Sequence, residues 1–356
     1  MQPDAPEALK TLNIKKIWLP VLCGLAITGF LFYKSGKISR ATVALLSEPN
    51  WNYWCIALLC IVLREVGHIF RLRILSNSSL SWTSCFYIAI LWEFASAVTP
   101  SVVGGGVVAI FIFSKEGLSL GRSLSYVIVN GIMDNIFFLL AGLRGFWGAY
   151  ESFFAMADEF SGTVKTIFFI SYMMLLIYSL IIAIGVFINP KLLKWILMRV
   201  TSITFLKRWR RSAYQLSKDI ITTSNEFRGR SMLFWSKILF CTMLTWVVRY
   251  AFLNCLIAAY SYSAVSFSEH LAIFGKQVVM WSLMLVPVSP GGSGIAEFLF
   301  QQFFEPTLGD YTLMIAVLWR VCTYYLYLTL GAIFLPKWIR RVYSKSISLH
   351  KSVSEL

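Results

Sequence analysis

The sequence predicts an all-α polytopic membrane protein: six full spans plus two re-entrant helical hairpins, arranged as an inverted-topology repeat. Three observations carry this reading. Of 356 residues, 58% are hydrophobic and only 14% charged, with a mean hydropathy of +0.69; a soluble domain carries roughly 25% charged residues. The apolar residues gather in runs near the ~20 residues that a helix needs to cross ~30 Å of hydrocarbon. Two of those runs are interrupted by proline and clustered glycine, which favour non-helical backbone.

In chain order, the first run (17–33) follows Lys15-Lys16 and ends at Tyr33-Lys34. It could be mistaken for a signal peptide, but no small-x-small cleavage site follows, so it reads as a retained helix. The second full span is 51–70, opened by the interfacial aromatics Trp51, Tyr53 and Trp54. The run 83–113 is broken at Thr99-Pro100-Ser101 and Gly104-Gly105-Gly106. Full spans follow at 124–143, 166–188, 233–257 and 311–335, and the second broken run is 271–304. Its break reads Ser289-Pro290-Gly291-Gly292-Ser293-Gly294-Ile295-Ala296-Glu297, and a carboxylate stands inside the returning apolar segment. All 356 residues are read as a single transmembrane domain, with halves at about 17–143 and 166–335.

Basic residues set the orientation. Segment 189–231 carries ten lysines and arginines against Asp219 and Glu226, and the tail adds Lys337, Arg340, Arg341, Lys345 and Lys351. Segment 144–165 holds Glu151, Asp158 and Glu159, and 305–310 holds Glu305 and Asp310. The basic segments and both termini are therefore expected in the cytoplasm, in the inner membrane. Six full spans return the C-terminus to the cytoplasm only if each broken run enters and leaves on one side, or if both cross fully. The hairpin reading makes the second half the inversion of the first, with 83–113 opening from the cytoplasm and 271–304 from outside.

In hydrocarbon, irregular backbone survives only where protein or a wet cavity satisfies it. A helix starting after each glycine cluster would aim free N–H groups and a positive dipole end inward, an arrangement suited to phosphate. The expected substrate site is thus Thr99, Pro100, Ser101, Gly104 and Gly105 at one tip and Ser289, Pro290, Gly291, Gly292, Ser293 and Gly294 at the other, together with the charged residues Asp134, Arg249, Glu297 and Arg320. The plainer alternative is that these glycines let the hairpins pack closely. Charges inside spans cost about 2.5–3.5 kcal/mol each on insertion scales. Of Arg64, Glu65, Glu93, Asp134, Arg249, Glu297 and Arg320, the deepest in their runs are Asp134, Arg249, Glu297 and Arg320. These four are expected to pair with one another or face the cavity. Arg64, Glu65, His68, Arg71 and Arg73 sit near the end of the second span, where long side chains snorkel. Pro190 to Leu197 reads as an amphipathic helix on anionic lipid.

No catalytic constellation is visible. Seven cysteines lie mostly in apolar runs without a CxxC pair, the three histidines stand apart, and no GxxxxGK[ST] loop offers nucleotide-driven transport. No metal, cofactor or nucleic acid is expected. The net charge of +15 fits anionic lipid headgroups instead.

Taken together, Thr99-Pro100 with Gly104-Gly105-Gly106, Gly117-Leu118-Ser119-Leu120-Gly121-Arg122-Ser123 leading to Asp134, Ser289 to Gly294 with Glu297, and Leu318-Trp319-Arg320 before Tyr324-Tyr325 resemble the lysylphosphatidylglycerol synthase transmembrane, or flippase-domain, family. Arg71-Leu72-Arg73-Ile74-Leu75 is also similar, and the resemblance runs from about residue 15 to 340. It implies movement of a phosphate-containing lipid between leaflets, with an aminoacylated phospholipid among the candidate cargoes, by a stand-alone member without the synthase domain. Family members often carry an arginine shortly before the aspartate matched by Asp134; here Val129 to Met133 contains none. Two further readings stay open: an ion-coupled transporter of a small anion, and a membrane enzyme or accessory subunit acting on lipid-linked intermediates.

Overall fold

The computed structural model describes residues 48–99, 102–146, 161–261, 265–284, 292 and 294–354. Among the described residues there are twelve α-helices and no strand. Helix α1 (Trp51–Leu75) begins at Asn50, whose side chain accepts from the Asn52 N–H. It ends where Asn77 and Ser78 turn into the left-handed region, φ 49° and 63°. Ser81 caps α2 (Trp82–Val98), and α3 (Val102–Lys115) returns beside it. Then come α4 (Leu120–Phe146) and α5 (Ser161–Ala183), the latter continued by a π turn at Ile184–Ile188.

The basic segment expected as a loop around one short helix is itself largely helical. It contains α6 (Pro190–Val200), with proline at its tolerated first position, and α7 (Arg210–Arg228). Helix α7 lies on α4, where a Cβ at Gly121 would fall 1.9 Å from Asp219 Cβ, and Arg122 meets Glu226 at 2.5 Å. Trp195, Phe205 and Trp209 stay exposed among the lysines and arginines.

Ser231 caps α8 (Met232–Ala259), and a reciprocal Ser266–Glu269 box caps α9 (Phe267–Leu283). Helix α10 (Ile295–Leu308) follows, then α11 (Thr312–Arg320), a π turn at Val321–Tyr325, and α12 (Leu326–Ser354).

Helices α1 and α8 form the centre, packed antiparallel along their length. The Asn50 N–H donates to Ala259 O at 2.8 Å at one end, and Arg71 donates to Thr242 Oγ1 at 3.3 Å near the other. Between them Gly67 leaves room for Thr245, whose Oγ1 lies 2.7 Å from where a Cβ would stand. The two broken runs flank this pair as matched helix pairs. Helices α2 and α9 have 17 residues each, α3 and α10 have 14 each. Lys276 Nζ on α9 donates to Phe303 O on α10 at 2.9 Å.

Among the described residues, four stretches are long and apolar enough to cross a membrane: Leu120–Leu143, Val164–Ile188, Met232–Ala259 and Ile295–Val342. The last is two elements. Gly309 takes φ 54°, closed to most L-residues, and the chain reverses there. Glu297 and Arg320 are 2.9 Å apart, although 23 residues of straight helix would separate them by about 34 Å. The expected span 17–33 lies outside the described residues. Helix α1, expected as a span, is long enough, but its charges dilute its apolar character. Arg64 and Arg71 are buried rather than turned to lipid.

Candidate functional site

At the first tip, Thr99 closes α2, and its hydroxyl donates to Ala95 O at 2.7 Å, so its proton serves the helix rather than an incoming ligand. Pro100 and Ser101 lie outside the described residues. The expectation that the helix starts after the glycines is corrected here: α3 starts at Val102 and contains them. Their role is close approach. A Cβ at Gly104 would stand 2.6 Å from Thr99 Cβ, and one at Gly105 would stand 2.1 Å from Ser96 Oγ and 2.9 Å from Ser96 Cα. Gly104 still occupies the first turn of α3, whose leading N–H groups have no partner within the helix.

At the second tip, Ser289, Pro290, Gly291 and Ser293 lie outside the described residues. Gly292 and Gly294 take φ 67° and 88°, which glycine alone adopts without strain. Gly294 precedes α10, and its N–H donates to Glu297 Oε2 at 2.7 Å. The positive end of α10 is thus already faced by the protein's own carboxylate. Glu297 Oε1 lies 2.9 Å from Arg320 Nε, and both residues are buried. Of the four deep charges expected to pair with one another or face a cavity, these two meet each other.

The two tips meet at one turn of helix. Arg320 ends α11 and holds the second tip through Glu297. Its guanidinium lies 4.0 Å over the ring of Tyr324, in the π turn. Tyr324 donates its hydroxyl to Ala97 O at 3.3 Å, beside the end of α2. Helix α12 can come this close because Gly331 sits against the Phe94 ring, 2.1 Å from where a Cβ would be. The π turn sets this geometry by widening one turn, a feature common at functional sites.

The other expected pairings go elsewhere. Asp134 bonds to Arg71 of α1 and accepts from Trp246 Nε1 at 2.7 Å. Arg249 lies 3.8 Å from Glu93, which Arg64 meets at 2.5 Å. Arg64 stands 3.3 Å from Glu65 and 4.7 Å over the Tyr327 ring, while the Tyr327 hydroxyl donates to Glu65 Oε1 at 2.6 Å. Snorkelling is therefore ruled out for Arg64, His68 and Arg71, each no more than 6% exposed. Their position near a predicted span end misleads because α8 covers that part of α1. Arg73 does turn outward, bonding to the carbonyls of Ser78 and Leu80. The arginine missing before Asp134 in the sequence is supplied by α1.

These contacts join into one partly buried network. The Arg249 guanidinium lies 5.0 Å over Trp246, linking the Arg71–Asp134 pair to the group formed by Arg64, Glu65, Glu93 and Tyr327. Three guanidiniums face three carboxylates. Isolated ions would be costly at this depth, whereas paired ones are tolerated. A small cavity of about 10 Å³, room for a single water, lies between α1, α8 and the second π turn, lined by Arg64 and Arg249 with Thr323 and Tyr327. Sequence reasoning missed Trp246, Tyr327 and buried Lys276. The last was visible as a charge inside the run 271–304; the first two carry no such mark.

Residues 17–331 match the family described as the lysylphosphatidylglycerol synthase TM region. A UPF0104 membrane protein from Archaeoglobus fulgidus is 24% identical over 325 residues, covering 88% of this chain and 94% of that protein. With its long apolar helices and a family match over most of its length, the chain is an integral membrane protein and belongs to the lysylphosphatidylglycerol synthase TM region family.

Proposed function

We propose that this protein moves a phosphate-containing lipid between the leaflets of the cytoplasmic membrane, with the headgroup held between the two hairpin tips. The observation that carries this reading is the meeting of both tips on Arg320 and Tyr324, one through Glu297 and one through Ala97. A guanidinium is the side chain best matched to a phosphate. Here Arg320 is balanced by Glu297, so a lipid phosphate would compete with that carboxylate for it. The leading N–H groups of α3, Gly104 among them, supply further donors from the opposite tip. Acyl chains would stay in the bilayer through a lateral opening.

Six full spans and two re-entrant hairpins accord with this role. Helices of 17 and 14 residues are about 26 and 21 Å long, short of a ~30 Å hydrocarbon core. The equal lengths of the two hairpins and the antiparallel α1 and α8 support an inverted repeat in which each half supplies one gate. The basic α6–α7 segment would face the cytoplasm, with its exposed tryptophans and phenylalanine in anionic headgroups.

The test uses proteoliposomes carrying fluorescent phosphatidylglycerol, with a membrane-impermeant quencher reading the outer leaflet. Wild-type protein should speed equilibration between leaflets. Arg320→Ala should abolish this while inserting normally, and Arg320→Lys should retain part of it. An unimpaired Arg320→Ala would remove the residue from the site. Uptake of free phosphate without movement of any labelled phospholipid would replace the lipid reading with that of a small-anion transporter.

A further inference from the structure

We propose that Glu65 is a proton-binding site that couples movement of the phosphate-bearing substrate to protons. This rests on the transport reading above and names its coupling ion. The other acids set among these helices each have a close cationic partner. Glu93 lies 2.5 Å from Arg64, Asp134 is bound by Arg71, and Glu297 is 2.9 Å from Arg320. Glu65 differs. Its Oε1 accepts from the neutral Tyr327 hydroxyl at 2.6 Å and stands 3.3 Å from Arg64, whose nearer contact is Glu93. Its Oε2 is buried with no hydrogen-bond partner, and so are Arg64 Nε and, one turn along α1, His68 Nε2. A buried ionised oxygen without a donor is costly, and an added proton removes the charge that makes it so.

The groups around Glu65 come from four helices: Arg64 and His68 on α1, Glu93 on α2, Arg249 on α8 and Tyr327 on α12. Two guanidiniums balance two carboxylates while Glu65 is ionised. When its carboxylate takes a proton from hydronium, an O–H bond forms at Glu65 as one breaks in hydronium, water is released, and the group gains one positive charge. Arg64 and Arg249 line a cavity of about 10 Å³, room for a single water, so the added charge acts on the headgroup site at Arg320 through its field and through the shared helix rather than by direct contact. Tyr327 is seven residues beyond Arg320 on the same run of helix, which ties the proton site to the turn where the tips meet. Protonation would thus favour the phosphate-bearing headgroup, and loss of the proton would favour its release.

Two measurements test this. In infrared difference spectra of the purified protein, lowering the pH should produce a protonated-carboxyl band that vanishes in Glu65→Gln and shifts in Tyr327→Phe. In proteoliposomes, a pH gradient should speed equilibration of fluorescent phosphatidylglycerol several-fold for wild type and not at all for Glu65→Gln. A band that persists in Glu65→Gln, or an unchanged gradient response in that variant, would overturn the proposal. If Glu65→Gln fails to fold, an unshifted band in Tyr327→Phe overturns it equally. If wild-type protein moves no labelled phospholipid, the infrared result still decides the proton site, so failure of the two readings can be told apart.

Discussion

Replacing Arg71 with methionine removes the guanidinium that binds Asp134 and leaves a hydrocarbon of similar length. The arginine side chain is 4% exposed and the aspartate 24%, so the change strands a mostly buried carboxylate. Breaking a buried pair in this way costs about 3–5 kcal/mol. Trp246 Nε1 still donates to Asp134, and the carboxylate retains some exposure, so the lower end, about 3 kcal/mol, is expected. Arg71→Met/Asp134→Leu removes both charges and should return to within about 1 kcal/mol of wild type, because replacing both ions of a pair by apolar groups is often neutral. Arg122→Met is the control. Its pair with Glu226 is 38% and 37% exposed, and such surface pairs contribute about 0–1 kcal/mol. Reversible unfolding in mixed micelles, followed by circular dichroism, reads all three. An Arg71→Met variant no less stable than Arg122→Met, or a double variant as unstable as Arg71→Met alone, would refute the pairing.

Gly105→Ala should destabilise by about 1–3 kcal/mol, since its Cβ would meet both the side chain and Cα of Ser96; Ser96→Gly should recover only part of this, measured in the same unfolding assay. Gly331→Ala should lower the melting temperature through Phe94, and Phe94→Leu in the same chain should restore little of the loss, because leucine keeps the obstructing Cβ and Cγ.

Much of the fold is legible in the sequence for reasons that can be named. Long apolar runs mark α4, α5 and α8, and the Pro-Gly breaks mark the places where two runs divide into helix pairs. That the deep charges pair can be anticipated, because opposite charges in apolar segments have few other partners. Which acid meets which base cannot, since pairing depends on which helix covers which. Arg71 looks exposed when only its distance from the end of an apolar run is counted; α8 buries it. The glycines at 104 and 105 read as helix breakers because glycine is permissive, yet here its small size matters more than its freedom. Nothing in the sequence marks Tyr327 among sixteen tyrosines, because its role arises from one hydroxyl reaching across to Glu65.

The antiparallel seam of α1 and α8 has a mechanical consequence. It is fastened at both ends by hydrogen bonds, and Gly67 allows Thr245 to close the middle, so a sliding motion along it would meet resistance at three separate points. In the transport cycle proposed above, the seam would therefore stay a fixed spine. The two helix pairs would swing about it, each pulling on its own side of the turn that carries Arg320 and Tyr324.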